Sequence, residues 1–132
     1  QLTGALFERG VRQQQPRPDG GLDEPVLDVA AARVHVRCGG ECLAANGYRP
    51  EDLSLLIPHQ ANLRIAQFIQ QKLQLKDEQV FNNIDKYGNT TAASIPIALC
   101  EAWENGLIKE NDLICLAAFG SGFTWGSALI KW

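Results

Sequence analysis

Two apolar runs close the chain, and the joint between them limits what the chain can fold into. Leu113 to Phe119 and Thr124 to Trp132 read as strands, separated by Gly120-Ser121-Gly122. A parallel pair needs a crossover of roughly a dozen residues or more, so this joint predicts an antiparallel pair. Upstream, Leu53 to Ile57 is a short apolar run ending at Pro58, the pattern of a buried strand. Ala61 to Leu73 has helical period, with Ile65, Phe68, Ile69 and Leu73 on one face and Arg64, Gln67 and Gln71 on the other. Val80 to Asn82 is a candidate short strand, and Asp85 to Asn89 is a turn. Thr91 to Glu104 reads as a second helix, with Ile95, Leu99, Ala102 and Trp103 on one face and Asn105-Gly106 as its stop. Pro96 must lie near the first turn of that helix or kink it. Strands alternating with helices predict an α/β fold, a layered βαβαβ unit with a closing antiparallel strand pair.

The chain divides near Asp28. Residues 1–28 are expected to be poorly structured or divergent, because 12–25 are Gln, Pro, Gly and charge. Residues 29–132 form the expected domain. Within 29–47 the pattern is mixed: the ends favour helix, Val34 to Arg37 alternate like a strand, and Gly39-Gly40 costs a helix about 1 kcal/mol per glycine relative to Ala. A helix is expected there, most secure from Glu41 to Ala45, with Gly47 as its stop.

Composition excludes several classes. Net charge is −3 over 132 residues, without the basic excess of a nucleic-acid footprint. No run approaches the ~18 consecutive apolar residues of a membrane span, and the apolar stretch in QLTGALFERGVRQQQ is too short for a secretory signal. The four cysteines, at 38, 42, 100 and 115, form no repeating framework, so reduced thiols in a cytoplasmic setting are expected. His35, Cys38 and Cys42 lack a fourth partner for zinc, and no metal is expected. Cys100 and Cys115 read as buried structural thiols, whose burial blunts nucleophilicity. No Gly-x-Ser-x-Gly elbow marks a serine hydrolase.

Three segments carry residues suited to chemistry. Pro58-His59-Gln60-Ala61-Asn62 stands where a strand ends and a helix begins, the place where ligands sit in open α/β sheets. His59 there is an acid, a base, an oxyanion donor or a structural hydrogen-bonder. In Tyr87 to Ser94, YGNTTAAS, Gly88 permits a tight turn and the small residues permit close helix approach. Asn89 either caps that helix or directs an amide N–H at a developing oxyanion. In Phe119 to Gly126, FGSGFTWG, the glycines serve a hairpin turn or bring backbone N–H groups to a ligand oxygen.

In this order and spacing the three segments are specific. From about Leu43 to Trp132 the chain resembles the C-terminal half of ketoacyl-ACP synthase III, through LAANGYRPEDLSLLIPHQANLRI, NIDKYGNTTAASIPIAL and AFGSGFTWGSALIKW. The resemblance implies the C-terminal half of a thiolase-like fold and a homodimer. It implies decarboxylative Claisen condensation of acyl-CoA with malonyl-ACP, with no cofactor beyond these substrates and with acyl carrier protein as partner. It implies a Cys-His-Asn triad whose His and Asn are His59 and Asn89. It places Asn62 at the pantetheine arm, Gln60, Ala61, Asn62, Leu63 and Arg64 at the carrier contact, and the backbone N–H of Ser121 in a second oxyanion hole.

Two departures accompany the resemblance. The family's nucleophilic Cys belongs to the N-terminal half, and none of the four cysteines here matches its context. Residues 1 to about 40 follow the family poorly. The expectation is therefore a truncated product or one half of a split enzyme, working with a Cys-bearing N-terminal half. Priming of polyketide or alkylquinolone chains, and a non-catalytic half that dimerises with an intact synthase, are the alternatives.

Overall fold

A computed structural model describes residues 8–11, 36–37, 39–120 and 124–132. Its sheet has four strands, β1 (Glu8–Val11), β2 (Leu55–Pro58), β3 (Leu113–Gly120) and β4 (Thr124–Lys131), in the order β1-β4-β3-β2. The helices are α1 (39–45), α2 (Leu63–Leu73), the single turn α3 (Ile84–Tyr87) and α4 (Ser94–Glu104). β3 and β4 are antiparallel, as the short joint demands, with Leu116 opposite Ala128. β2 runs parallel to β3, with Leu56 opposite Cys115.

The route between those two parallel strands explains the layers. After β2 and α2, Val80 forms a parallel bridge with Leu56, and the Phe81 N–H donates to the Leu56 carbonyl at 3.0 Å. The chain thus steps outward past β2, then returns through α4 to β3 on the other side. Right-handed crossovers moving in opposite directions place their helices on opposite faces of a sheet. The core divides accordingly. Ile65 and Ile69 of α2, with Cys42 and Leu43 of α1, pack on Leu56, Leu113, Cys115 and Leu129. Ala98 and Ala102 of α4 pack with Ile108 on Leu55, Ile57 and Ile114. Alternate residues of β2 and β3 therefore enter different cores, and a one-residue slip would exchange them.

Several expectations need correction. Glu8–Val11, inside the segment expected to be poorly structured, is a strand paired antiparallel with β4 from Thr124 to Ser127. Backbone pairing at a sheet edge needs no hydrophobic signature, so composition did not reveal it. Val80 to Asn82 contributes one bridge rather than a strand, because Asn83 already caps α3. On α4 the buried stripe is Ser94, Ala98 and Ala102, while Ile95 and Leu99 are only partly buried and Trp103 is 56% exposed. Small side chains at this spacing let the helix lie close to the sheet, and the large ones flank the contact. Cys100 is exposed, with its thiol hydrogen-bonded to Glu104. The expectations for residues 12–35 and for Cys38 lie outside the described residues.

Pro96 is the third residue of α4, where its missing N–H leaves no intrahelical acceptor unpaired. No helix among the described residues is long and apolar enough to cross a membrane.

Ile57 is fully buried between β3 and α4. Ile57→Ala is expected to destabilise the chain by about 2–5 kcal/mol in urea unfolding. Trp103→Ala should change stability by no more than about 0.5 kcal/mol. Equal losses at both positions would contradict the packing of α4.

Candidate active site

The site forms at the carboxyl end of β2. Beyond Pro58 the ladder continues for one more bond, from the His59 N–H to the Ala117 carbonyl at 2.7 Å. The His59 backbone is thus fixed by the sheet, although His59 lies past the end of the strand. The chain then turns sharply, with the Ala61 N–H donating to the His59 carbonyl at 2.9 Å. Asn62 starts α2, its Oδ1 accepting from the Arg64 N–H at 2.9 Å, which is ordinary N-capping.

Gln60 is 3% exposed. Its Nε2 donates to the Pro58 carbonyl at 2.8 Å, and its Oε1 accepts from the Asn83 N–H at 3.1 Å. Asn83, also buried, donates through Nδ2 to Glu101 at 2.7 Å, and Glu101 is ion-paired with Lys86. This network ties the segment after β2 to α3 and α4. Gln60 was expected at a carrier contact. Its amide is buried and bonded to backbone, so it supports the site from within and does not present a surface. Leu63 and Arg64 are exposed, and Ala61 and Asn62 are partly so.

The His59 ring is half-buried, and its Nδ1 lies 2.5 Å from Oγ of Ser94, the first residue of α4. The same Oγ accepts from the Gln60 N–H at 3.2 Å. Burial disfavours the imidazolium and pushes the His59 pKa below its ordinary 6.5. Burial therefore favours the neutral imidazole of His59.

Asn89 follows Gly88, whose φ of 66° ends α3 in a conformation suited to glycine. The Asn89 Oδ1 accepts from the Thr91 N–H at 2.9 Å. That bond fixes which way the amide faces: oxygen inward to the turn, Nδ2 outward. Asn89 is exposed and does not bond directly to the first turn of α4; it closes the turn before it. Thr91 itself has φ of 53°. A β-branched residue in that region carries strain of about 1–3 kcal/mol, a cost found most often at functional sites.

An open cleft of about 380 Å³ lies against these groups. His59, Thr91, Ser94 and Ile95 form one side, and Phe119, Gly120 and Trp125 of the hairpin form another. Two of the three predicted segments and the flanks of the third therefore meet at one place. Asn89 is not among the lining residues but is held two positions from Thr91, which is. Ser121 lies outside the described residues. Neither Cys42 nor Cys115 is available to the cleft, since both are buried in the core between the sheet, α1 and α2. The bond to Glu104 raises the Cys100 pKa and suppresses its thiolate. Sequence reasoning missed the polar role of Ser94, having read it only as a small residue. Its position i, i+4, i+8 with Ala98 and Ala102 was the available signal that it is buried.

The lowered His59 pKa makes the stability of the chain depend on pH. Between the folded value and about 6.5 the unfolded chain binds more protons, so stability rises with pH through that window. The contribution is fully present above 6.5 and is lost as pH falls through the folded value. NMR titration should give His59 a midpoint below 6.5, with weakening of the chain on the acid side that His59→Gln reduces. A midpoint at or above 6.5 would show that the ring is not desolvated.

Comparison with known proteins identifies the family. The family described as 3-oxoacyl-[acyl-carrier-protein] synthase III C terminal matches residues 43–132. The beta-ketoacyl-[acyl-carrier-protein] synthase III of Helicobacter pylori (strain HPAG1) is 58% identical over 88 residues, covering 67% of this chain and 27% of that protein. Its counterpart in Caldanaerobacter subterraneus is 50% identical over 107 residues, covering 81% of this chain and 30% of that protein. The crystal structure of the Aquifex aeolicus synthase III superposes with a TM-score of 0.86 at 40% identity, over 96% of this chain and 43% of that one. The Thermus thermophilus enzyme gives a TM-score of 0.84 at 34% identity, over 99% and 46%. The chain therefore spans about a third or less of these curated relatives and less than half of these solved chains. It has their α/β thiolase-type fold, and it belongs to the 3-oxoacyl-[acyl-carrier-protein] synthase III family, to whose C-terminal region it corresponds.

Proposed function

We propose that this chain supplies the decarboxylation side of a ketoacyl-ACP synthase III active site. The observation that carries the reading is the half-buried His59 held by β2, β3 and Ser94 at the cleft, where burial favours its neutral form. In the proposed reaction a Cys outside this chain takes an acyl group from acyl-CoA, releasing the CoA thiol. Malonyl-ACP then enters and its C–C bond to the carboxylate breaks, releasing carbon dioxide. The electron pair of that bond becomes a thioester enolate. His59 Nε2 and Asn89 Nδ2 donate hydrogen bonds to the enolate oxygen. The enolate carbon attacks the acyl thioester, a C–C bond forms, and the Cys thiolate leaves.

The donor types suit this task. Neutral donors stabilise charge as it develops and give a neutral thioester carbonyl little in advance. A permanently charged imidazolium would instead favour the malonyl carboxylate and hold it in place. The Asn89–Thr91 bond supports the same reading, because it leaves the amide N–H groups facing outward. The hairpin at Gly120 brings backbone near the cleft, and the Ser121 N–H is proposed as the donor on the acyl-Cys side.

The exposed start of α2 is the proposed docking place for acyl carrier protein. Arg64 is a cation there on an accessible first turn. Rim charges act mainly on encounter and its salt dependence.

The test pairs this chain with a Cys-bearing N-terminal half. His59→Ala and Asn89→Ala should each slow malonyl-ACP decarboxylation about 10²–10³-fold while leaving Cys acylation unchanged. Normal decarboxylation by either variant would make that residue structural. In the same assay Arg64→Glu should raise the KM for malonyl-ACP, most at low salt, and leave a malonyl-pantetheine analogue unaffected. Equal loss with both substrates would move Arg64 from the carrier contact to support of the helix.

A further inference from the structure

We infer that Ser94 is a positioning residue that fixes the tautomer of His59, its hydroxyl donating to Nδ1 so that the ring carries its proton on Nε2. The inference deepens the proposed role of His59 and rests on that reading only for its consequence in catalysis.

The hydrogen count at Ser94 Oγ leads to this assignment. Ser94 is 2% exposed, so its hydroxyl must find its partners within the protein. The oxygen has two neighbours among the described residues, the Gln60 N–H at 3.2 Å and His59 Nδ1 at 2.5 Å. A backbone N–H can only donate, so it occupies a lone pair of the oxygen. The single hydroxyl hydrogen then has one acceptor in reach, which is Nδ1. An acceptor nitrogen at Nδ1 places the imidazole proton on Nε2.

The opposite arrangement fails the same count. Were Nδ1 to carry the proton, Ser94 Oγ would receive two donors and its own hydrogen would be buried without an acceptor among the described residues. A buried unsatisfied donor costs about 1–3 kcal/mol. That bias corresponds to roughly 5- to 150-fold in the ratio of tautomers at 1.4 kcal/mol per factor of ten.

Geometry gives the bias its consequence. Nδ1 faces Ser94 at the start of α4, and the ring borders the cleft. The nitrogen remaining for the cleft is Nε2. With the proton there, His59 presents a donor; with the proton on Nδ1 it would present a lone pair, which repels an enolate oxygen. Ser94 touches no reacting atom in this scheme and acts through His59. The Gln60 N–H completes the arrangement by orienting the hydroxyl, which joins the buried Gln60 network to the ring.

The test reads the imidazole nitrogens directly in this chain. His35→Gln leaves His59 as the remaining histidine of the two in the sequence. ¹⁵N-edited NMR above the His59 midpoint should show a protonated-type Nε2 and an unprotonated-type, hydrogen-bonded Nδ1. In Ser94→Ala the Nδ1 signal should lose its hydrogen-bond shift and both nitrogens should move toward tautomer-averaged values. Ser94→Thr, which keeps the hydroxyl, should restore the original pattern. A protonated-type Nδ1 in the chain with Ser94 intact would overturn the inference without any variant having to fold. Unchanged nitrogen shifts in a folded Ser94→Ala would overturn it equally. Because the readout is not turnover, it is independent of whether His59 meets a thioester.

Discussion

The parallel pairing of β2 with β3 is the constraint on which the rest depends. All four residues of β2 are buried, Leu56 in one core and Leu55 and Ile57 in the other, and the pairing continues through the His59 N–H to Ala117. A strand buried on both faces has one register that satisfies both cores. That register sets where the chain leaves the sheet, and so where His59 stands. The outward step to Val80 and the return to β3 then put α2 and α4 on opposite faces. Both helices begin near the end of β2, α2 four residues after His59 and α4 in contact with its ring. Helix N-termini carry partial positive charge, which disfavours an imidazolium and favours an anionic oxygen in the same place.

Around this point the side chains proposed as donors are tied down at their other ends. His59 Nδ1 is tied to Ser94, and Asn89 Oδ1 to the Thr91 N–H. Each tie leaves a nitrogen of the side chain, His59 Nε2 and Asn89 Nδ2, free of that bond. Gln60, Asn83 and Glu101 perform the same service for the backbone, linking the end of β2 to α3 and α4 without reaching the cleft. The strained φ of Thr91 is consistent with a turn held by its surroundings to orient Asn89. Preorganisation of this kind removes the reorganisation that flexible donors would need as charge develops.

Much of this was legible in the sequence, and the failures have physical causes. The closing antiparallel pair followed from the short joint, and α2 from its 3.6-residue period. Pro58 marked the end of a strand, while the capping role of Asn62 emerged only from the structure, which starts α2 at Leu63. The edge strand Glu8–Val11 was not legible, because it is held by backbone pairing to β4. On α4 the large apolar residues suggested the wrong centre for the buried face, since the close contact uses Ser94, Ala98 and Ala102. Gln60 and Ser94 were hidden for a different reason. Both are polar residues whose burial depends on partners more than 20 residues away, such as Asn83 for Gln60 and His59 for Ser94. Local pattern carries no information about such pairs. The motifs pointed to three segments, and the structure showed which of their residues lie at one cleft.

We propose that this chain holds the decarboxylation donors while the nucleophile comes from elsewhere. The direct measurement is condensation of acyl-CoA with malonyl-ACP by the chain alone, by a Cys-bearing N-terminal half alone, and by the two mixed. Ketoacyl product is expected from the mixture and none from either part. Product from the chain alone would contradict the proposal, as would a stable complex of the two halves that turns over no faster than the N-terminal half by itself.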